Sequence, residues 1–559
     1  MNNTIITRLL LLVICAAALT SCQKKLVEYN PSGLTASTVY NNAAGFETLV
    51  NASYSFSRFW YGKEEAYSVM ELGTDIWTSG TGDVYTNLST YNNLQGNNTS
   101  ALDSLWKNSY AAINLVNTGI AQVGNVTDYT PLQKTTREAE LRFLRAFYYW
   151  HIVEIWGGVN FTTQPVLGAV TTANRTPVDT FYKYILSDLQ YAVANLPATT
   201  TDYGRVTQPA AKAFLARICL NRGLNDQAIA LSNDVIKNYG FTLLPKYSDL
   251  WNMGNLKNKE VIWAIDYSTN LSYNDLQTAI YPYGHSRGSN SGHMLFLMVY
   301  DQVSTTILLR DINNGRPFNR YMPTLALLNM FDEANDSRYA GSFQTVWYAN
   351  KAGTAVINGT TTSVSFKVGD TAVYCPKTII PTGSLSPKYT TYDLSKVYDA
   401  SGVPTQRKFY VSLKKFMDST RASVAEAQSA RDAFVMRLGE MYLIAAEAEL
   451  NAGKLDSSAY YLNVLRTRAA IPGHTAAMQI TPGQVTLDFI LDERARELCG
   501  EQLRWMDLKR TGKLVSRIKA LNPDAAPFVQ PFHSVRPIPQ SQIDAVSNKG
   551  VFTQNPNYQ

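Results

Sequence analysis

The stretch LRFLRAFYYWHIVEIWGGV at residues 141–159 is apolar on almost every side of a helix. Its large aliphatic and aromatic side chains are interrupted mainly by Arg142, Arg145, His151 and Glu154. A helix that is hydrophobic all round is stable only where other elements cover it. The stretch therefore predicts a central core helix, whose few charged side chains pair with neighbouring helices.

The polar residues of this helix do not form a recognisable catalytic or metal-binding motif. HIVE differs from the zinc signature HExxH, and Tyr148 stands where an ExxH motif needs its carboxylate. Glu140 and His151 would lie about 16 Å apart along the helix axis, too far apart to share one metal ion. We therefore interpret the segment as part of the scaffold.

Two distant segments, residues 211–240 and 434–469, each have the pattern of a helical hairpin. Gly223 and Gly453 follow the first helix of each pair, at the place where glycine commonly ends a helix. Both hairpins resemble tetratricopeptide units, which bury their apolar faces by stacking on neighbours. Further helices are predicted at 102–123, 177–195 and 486–520. The fold class predicted is mainly α, with a scaffold of tetratricopeptide-like hairpins.

Residues 241–430 differ in composition from the helical parts and are rich in Tyr, Asn, Ser, Thr and Gly. SVSFKV (363–368) and TAVYC (371–375) have strand character and are separated by Gly369 and Asp370, which predicts a β-hairpin. We expect a large irregular insertion lobe of loops and short strands here. Loops carried by a rigid scaffold are where binding surfaces are concentrated.

The N-terminus MNNTIITRLLLLVICAAALTSC has the pattern of an exported protein. Its apolar run Leu9–Leu19 suits the core of a signal peptide and is too short for a permanent transmembrane helix. Leu19-Thr20-Ser21-Cys22 resembles the lipobox of bacterial lipoproteins, in which cleavage precedes a cysteine that becomes lipidated. An alternative is a secretory peptide cleaved nearby. No later segment of the sequence is apolar enough to span a membrane.

These features divide the chain into five parts. We expect a signal peptide, a lipidated tether beginning at Cys22, an N-terminal helical repeat part, the insertion lobe, and a C-terminal helical part that completes the same domain. The corresponding ranges are 1–21, 22–45, 46–240, 241–430 and 431–559.

Composition argues against several other classes of protein. The net charge of +6 is spread without a long basic run, so no nucleic-acid-binding patch is expected. Cys219, Cys375 and Cys499 are widely spaced and are predicted to be small buried hydrophobic residues. With five histidines and no acidic cluster beside them, neither a metal site nor a cofactor is expected.

Two further segments contain residue types that are found in catalytic sites. Gly284-His285-Ser286-Arg287-Gly288 matches the pattern GxSxG, but that nucleophile turn needs a strand before it and a helix after it. Here Pro282 precedes the motif and a loop-like SNSGH follows it. In residues 490–514 a line of carboxylates alternates with arginines, which hold the carboxylates ionised and do not separate their pKa values as acid–base catalysis requires.

Several segments together resemble the SusD/RagB family of surface lipoproteins from Bacteroidetes. REAELRFLRAFYYWHIVEIWGGV resembles its N-terminal signature, MRLGEMYLIAAEAELNAG its second helical block and ERARELCGEQLRWMDLKRTG its C-terminal arginine-rich helix. RPIPQSQI and TQNPNY resemble its closing motifs. The segments occur in the family's order over essentially the whole chain. One departure is Gln502, where a glycine is expected.

This resemblance implies a protein of the outer membrane, lipid-anchored through Cys22 and facing the cell exterior. It implies four tetratricopeptide-like units, a SusC-like TonB-dependent transporter as partner, and an oligosaccharide as ligand. A peptide ligand is the alternative within the family. The activity implied is binding and delivery without catalysis.

Glycan recognition requires aromatic faces for stacking and polar side chains for the hydroxyl groups. The window GTDIWTSGTGDVYTNLSTY (73–91) offers Asp75, Trp77 and Tyr85 among small polar residues. The insertion lobe adds Tyr283 and Trp347. We predict these five as candidate ligand residues and expect Trp77 to be partly exposed, with core packing as the alternative for each of them. Trp106 and Trp156 are assigned to the core.

Two other functions remain possible on the sequence alone. A surface glycoside hydrolase would need two opposed carboxylates about 5–10 Å apart. A protein-interaction adaptor would use the concave face of its helical repeats. The lipobox and the large insertion favour the binding lipoprotein over the adaptor, and release of reducing sugar would distinguish the hydrolase.

Overall fold

N-terminal and C-terminal groups of helices pack with a set of small sheets in the computed structural model, which describes residues 36–268, 270 and 290–559. The signal peptide, Cys22 and Tyr283 lie outside the described residues, as does the GxSxG motif. The chain leaves the described part after Asn270 and re-enters at Asn290.

The N-terminal helices run from Ala36 to Asn238. They are α1 (Ala36–Val39), α2 (Ala43–Ser55), α3 (Ser57–Trp60), α4 (Glu64–Glu71), α5 (Thr86–Thr90), α6 (Ser100–Gln122), α7 (Pro131–Trp156), α8 (Val178–Asn195), α9 (Gln208–Asn221) and α10 (Asn225–Asn238). The helices described in the insertion lobe are single turns: α11 (Gly292–Leu295), α12 (Leu325–Asn329), α13 (Arg338–Ser342) and α14 (Leu394–Val397). The C-terminal helices are α15 (Leu438–Asn451), α16 (Leu455–Ala469), α17 (Thr475–Met478), α18 (Leu487–Leu498), α19 (Arg504–Arg510), α20 (Leu514–Leu521) and α21 (Gln540–Asp544).

The strands are short and form separate small sheets. They are β1 (Trp77–Ser79), β2 (Val261–Ile265), β3 (Tyr321–Pro323), β4 (Phe343–Gln344), β5 (Val346–Tyr348), β6 (Gly353–Val356), β7 (Ser363–Phe366), β8 (Thr371–Tyr374), β9 (Thr390–Thr391), β10 (Ser412–Leu413) and β11 (Ala433–Arg437). The pairs β1–β3, β2–β11, β4–β10, β5–β8 and β6–β7 are antiparallel, while β8–β9 is parallel.

The scaffold is a stack of neighbouring helices. Helix α7 packs between α6 and α8, α9 between α8 and α10, and α15 between α10 and α16. The two distant hairpins, α9–α10 and α15–α16, therefore stack on each other as predicted. A buried ion pair of 2.7 Å between Arg217 and Glu440 joins them. The mainly α-helical scaffold with an irregular lobe is confirmed.

Helix α7 is the core helix that its sequence predicts. Thr130 and Gln133 form a reciprocal cap with Pro131 at the first helical position, so the start of the helix is encoded locally. Every residue from Phe143 to Trp156 is buried.

Arg145 and His151 of α7 make their contacts inside the scaffold. Arg145 is bonded to Asp188 of α8, with Nε–Oδ2 at 2.7 Å, and to Asn117 of α6. His151 stacks on Trp60 with ring centroids 4.3 Å apart. Burial lowers the pKa of His151 to about 3, so its ring is neutral. The interpretation of this helix as scaffold is confirmed.

A second hydrophobic core belongs to the insertion lobe. It combines side chains of residues 295–413 with Tyr67, Leu72, Ile76 and Trp77 from the N-terminal part, and with Ala495 and Cys499 from the C-terminal part. The three cysteines named above are buried, as predicted. None of the helices in the ranges that the structure covers is long and apolar enough to cross a bilayer.

The prediction of a β-hairpin at residues 363–375 is wrong, although both strands exist. Strand β7 pairs with β6 and strand β8 with β5, so the turn at Gly369 connects two different sheets. Gly369 has a φ of +94° and donates its N–H to Ala349. The turn residues predicted a change of direction correctly, but the choice of partner strand depends on side chains that are distant in sequence.

Buried ion pairs connect the insertion lobe to the C-terminal helices. Arg338 of α13 is fully buried and contacts Glu493 at 2.8 Å and Glu497 at 2.9 Å, both on α18. Glu497 also contacts Arg437 at 2.7 Å, at the end of β11, and Arg468 of α16. The members of this cluster, which we call the buried ion network, are Glu260, Arg338, Lys415, Arg437, Arg466, Arg468, Glu493, Arg496, Glu497 and Glu501.

Glu497 lies at the centre of the buried ion network. Burial alone would raise its pKa, but Arg468, Arg437 and Arg338 outweigh burial and lower the pKa well below its usual range. The carboxylates of Glu493, Glu497 and Glu501 are thus buried rather than solvated. Because the folded pKa is depressed, this carboxylate stabilises the fold above the unfolded pKa, and its contribution is lost as pH falls through the folded pKa.

We expect Glu497→Gln to lower the free energy of unfolding by about 3–5 kcal/mol, because it leaves buried arginines without their counter-charge. Denaturant titration at neutral pH measures this loss. Glu333→Gln, at an exposed position of the same lobe, is the matched control and should change little. The difference between wild type and Glu497→Gln should shrink as pH falls below about 4, and a difference independent of pH would contradict the assignment.

Candidate functional site

The structure buries three of the five predicted ligand residues. Asp75 and Trp77 have no exposed surface, and Trp347 retains only 1%. Tyr85 is half-buried at the start of α5, and Tyr283 lies outside the described residues. The expectation that Trp77 is partly exposed is therefore wrong.

Asp75 forms buried ion pairs with two arginines. Arg504 contacts it through Nε and Nη2, at 2.7 and 2.6 Å, and Arg517 contacts it at 2.7 Å. Burial would raise the pKa of Asp75, but these two guanidinium groups lower it below its usual value. The carboxylate is therefore ionised and fully engaged by side chains of the C-terminal helices, and it has no surface to offer to a sugar.

Trp77 and Trp347 belong to strands of the second core. Trp77 begins β1, pairs with Pro323 of β3 and packs edge-to-face on Phe296 at 4.8 Å between ring centroids. Trp347 lies in β5 opposite Val373. A strand of three residues is too short to show a periodic pattern, and its partner is far away in sequence. The burial of Trp77 could therefore not be read from its neighbours.

The accessible part of the predicted 73–91 window faces residues of the insertion lobe. Arg320 is the centre of this contact: it forms an ion pair with Glu64 at 2.7 Å and donates to the carbonyl oxygen of Gly82. Its guanidinium carbon lies 4.9 Å from the centre of the Phe318 ring. We call Glu64, Asp83, Tyr85, Phe318 and Arg320 the Arg320 patch; all five are only partly buried.

Close backbone contact holds the two sides of the Arg320 patch together. Gly80 N–H donates to the carbonyl oxygen of Arg320, and Gly82 N–H to that of Asn319, both at 2.9 Å. A Cβ on Gly82 would lie 2.0 Å from the carbonyl oxygen of Phe318, so only glycine fits there. This part of the site has a fixed shape.

Asn319 has an unusual backbone conformation between the half-buried residues Phe318 and Arg320. Its φ is +54°, in the left-handed region, which asparagine tolerates better than most residues. Its side-chain oxygen accepts from Thr81 N–H at 2.6 Å, and its amide nitrogen donates to the Tyr410 hydroxyl at 3.0 Å. Backbone strain of this kind is concentrated at functional sites.

Partial burial changes the acidity of the carboxylates in the Arg320 patch. Burial raises the pKa of Glu64 and of Asp83 above the usual values, although Arg320 lies beside both. Asp83 accepts from the Ser79 hydroxyl at 2.6 Å and from Tyr85 N–H at 2.8 Å. The patch therefore combines half-exposed rings, a guanidinium donor and carboxylate acceptors within one rigid frame.

Sequence reasoning missed Phe318, Arg320 and Glu64. The segment GRPFNRY (315–321) carries no motif, and its proximity to the 73–91 window depends on the β1–β3 pairing. The glycines Gly80 and Gly82 were a usable signal, because a glycine-rich turn permits close approach of another backbone. No group of three or more His, Cys, Asp or Glu side chains in the described ranges is arranged to hold a metal ion.

Models of two known protein families match the sequence. A family model described as the SusD family matches residues 259–558, more than half of the chain. The chain belongs to the SusD family. A second model, described as "Starch-binding associating with outer membrane", matches residues 42–220.

Relatives and solved structures of SusD-like proteins agree with this assignment. SusD-like protein P2 from Formosa agariphila is 26% identical over 554 residues, which cover 95% of this chain and 96% of the relative. A SusD-like protein from Bacteroides ovatus is 24% identical over 526 residues, which cover 90% of this chain and 82% of the relative.

Two structural neighbours share the fold. One is a laminarin-binding SusD-like protein, with a TM-score of 0.70, 22% identity and coverage of 92% of this chain and all of the neighbour. The other is surface glycan-binding protein A from Bacteroides thetaiotaomicron in complex with laminarihexaose, with a TM-score of 0.65, 20% identity and coverage of 92% and 99%.

This SusD family protein has Gln502 where the family resemblance predicts a glycine, and the structure explains why a larger residue fits. Gln502 has a φ of +61°, a conformation that favours glycine, and Gly500 has a φ of +78°. The Gln502 side chain compensates by donating to the carbonyl oxygen of Trp60 at 2.7 Å, inside the protein. The sharp turn between α18 and α19 is therefore kept with a larger side chain.

We expect Trp77→Ala to lower the free energy of unfolding by about 3–5 kcal/mol, because it empties a fully buried site beside Phe296. Thermal and denaturant unfolding measure this loss. Tyr348→Ala is the matched control, since that ring is 55% exposed on β5, and its effect should stay within about 0.5 kcal/mol. An unchanged stability of Trp77→Ala combined with lost ligand binding would contradict the core assignment.

Proposed function

We propose that this protein is a non-catalytic surface lipoprotein that binds an oligosaccharide and delivers it to a TonB-dependent transporter of the outer membrane. The observation that carries the binding part is the Arg320 patch, in which Tyr85 and Phe318 are only partly buried beside donors and acceptors. Aromatic faces stack on sugar rings, while Arg and carboxylate groups bond to hydroxyls.

The choice of a glycan as ligand is supported by the SusD family and its neighbours. The names of two structures with the same fold state binding of laminarin and of laminarihexaose, a β-glucan and its oligomer. The second family model that matches this chain is described as starch-binding. A neutral glucan or a related oligosaccharide is therefore the first class of ligand to test.

The placement at the outer membrane is supported by two features. The Leu19–Cys22 motif resembles a lipobox, and the model that matches residues 42–220 is described as associating with the outer membrane. We propose lipidation at Cys22 and exposure at the cell surface. The family resemblance supports delivery to a SusC-like barrel as part of this proposal.

The rigid backbone of the Arg320 patch suits binding without large rearrangement. Its two sides are joined by the β1–β3 pairing and by the Gly80 and Gly82 hydrogen bonds. A preorganised site loses little conformational entropy when a ligand binds. The surrounding carboxylates act as acceptors in this proposal, and no step of bond cleavage is assigned to them.

We expect Tyr85→Ala and Phe318→Ala each to weaken oligosaccharide binding by about 1–3 kcal/mol, because each removes an aromatic contact surface. Isothermal titration with laminarihexaose, maltohexaose and cellohexaose measures the affinity. Tyr460→Ala is the control, since this ring is 63% exposed on scaffold helix α16, away from the insertion lobe.

The same samples decide between binding and hydrolysis. Binding without release of reducing ends supports the proposed function. Release of reducing sugar by the wild type would favour a glycoside hydrolase, and unchanged affinity of both aromatic variants would exclude the Arg320 patch as the binding site.

We expect Cys22→Ala to leave a folded protein that no longer fractionates with outer membranes, because the lipid attached there is the proposed anchor. The experiment uses cells that lack the partner transporter, so that protein–protein contact does not retain the variant. Ser21→Ala is a conservative control that keeps the cysteine. Membrane retention of Cys22→Ala under these conditions would contradict a lipid anchor.

A further inference from the structure

A cleft of about 480 Å³ lies apart from the Arg320 patch and shares no residue with it. Its walls are the junction of α2 and α3, the loop 202–205 before α9, and the end of β2. The side chains that carry the argument are Asn51, Tyr54, Arg58, Asp202, Tyr203 and Asp266. Its volume lies in the range of small-molecule sites, about 300–1,000 Å³.

The walls of the cleft are held in place by hydrogen bonds behind them. Trp263 Nε1 donates to the carbonyl oxygen of Gly204 at 2.9 Å, which fixes the loop to β2. Arg205 donates to Glu47 and Glu140, both at 2.8 Å, which fixes the same loop to α2 and α7. Arg58 donates to the carbonyl oxygen of Asp266 at 2.8 Å. The cleft is therefore a preformed site.

Glycine at position 204 allows the loop to approach β2. Its φ is +89°, and a Cβ there would lie 3.2 Å from Cβ of Asp266. Asp202 and Tyr203, which precede this glycine in the loop, line the cleft beside it.

A second cleft of about 380 Å³ meets the first at Asp266, which lines both. It is bounded by Lys257, Tyr267, Thr420 and Asp432, among others. The Lys257 ammonium lies 4.2 Å from the centre of the Tyr203 ring and so connects the two linings. An elongated ligand can thus contact both clefts through the shared aspartate.

The balance of charges in the two clefts favours a neutral ligand. Arg58, Arg205 and Lys257 are the cations of the combined lining, and Asp202, Asp266 and Asp432 are its carboxylates. Burial and the neighbouring Asp266 raise the pKa of Asp432 to about 7, while Arg205 is already paired with Glu47 and Glu140 behind the wall. The lining therefore has no excess of unpaired positive charge to attract a phosphate, a sulfate or a uronate. They do provide donors and acceptors for hydroxyl groups, and Tyr54 and Tyr203 add ring surface.

We propose that these joined clefts form a second oligosaccharide-binding site, selective for neutral sugar chains. The ligand class rests on the proposed function, but the residues are independent of the Arg320 patch. Two separate sites on one surface protein raise the local concentration of a long glycan, because the second contact becomes intramolecular.

The test is isothermal titration of the full mature chain with maltohexaose, laminarihexaose, cellohexaose and, as the anionic probe, hexagalacturonate. The variants are Tyr85→Ala/Phe318→Ala, the same pair with Tyr203→Ala, and Tyr203→Ala alone. Asp202→Ala is a second cleft variant that does not endanger folding, since its side chain is 63% exposed. Tyr460→Ala is the control for loss of a tyrosine, and circular dichroism checks each fold.

We expect the Tyr85→Ala/Phe318→Ala protein to retain weaker binding of a neutral hexasaccharide. Adding Tyr203→Ala should lower that residual affinity at least tenfold, and Asp202→Ala should lower it severalfold. Titration with hexagalacturonate should give no more heat than titration with buffer alone. These results together support the second site.

Other outcomes separate this inference from the proposed function. Binding that depends on Tyr85 and Phe318 but not on Tyr203 or Asp202 overturns the second site alone. Binding that depends on Tyr203 but not on Tyr85 or Phe318 supports the clefts and overturns the Arg320 patch. Preferred binding of hexagalacturonate overturns the neutral selectivity, and no binding of any hexasaccharide by the wild type overturns both proposals.

Discussion

The packing of the insertion lobe on the C-terminal helices depends on the buried ion network. This network fixes an irregular lobe, whose own strands are only a few residues long, to the C-terminal helices. Glu497 and Arg338 are fully buried and carry charges that no water can stabilise there. Each charge is therefore tolerable only in the presence of its partners, which makes the packing of lobe on scaffold highly specific.

Asp75 has the same role for the segment that carries the Arg320 patch. Arg504 of α19 and Arg517 of α20 hold its carboxylate two residues before β1. Strand β1 then pairs with β3 and positions Phe318 and Arg320 next to Tyr85. Ion pairs of the fully buried Asp75 thus help to determine the geometry of a surface site.

Different interactions keep the two proposed sites rigid. The Arg320 patch depends on close backbone contact and on Asn319 in a strained conformation, which costs of order 1–3 kcal/mol and must be overcome by its hydrogen bonds. The joined clefts depend on side-chain bonds from Trp263, Arg205 and Arg58. In both cases the polar groups that would meet a sugar are held by a framework outside the site, which limits the entropy lost on binding.

Local patterns were sufficient to predict the helical scaffold. The Thr130–Gln133 cap, the apolar surface of α7, and glycines at 223 and 453 specify helices and turns through interactions within a few residues. The irregular character of 241–430 and the core positions of Trp106 and Trp156 also follow from composition and periodicity. The family resemblance rests largely on helical segments of this scaffold, among them α7 and α15.

Only the tertiary structure decided which polar and aromatic residues face solvent. Asp75 and Trp77 stand in a turn-like segment that looks accessible, yet distant arginines and Phe296 bury them completely. Phe318, Arg320 and Tyr203 carry no local signal, and each becomes part of a candidate site through partners far away in sequence. The physical reason is that helix formation depends on neighbours along the chain, whereas exposure, strand pairing and ion pairing depend on contacts that exist only after the chain has packed.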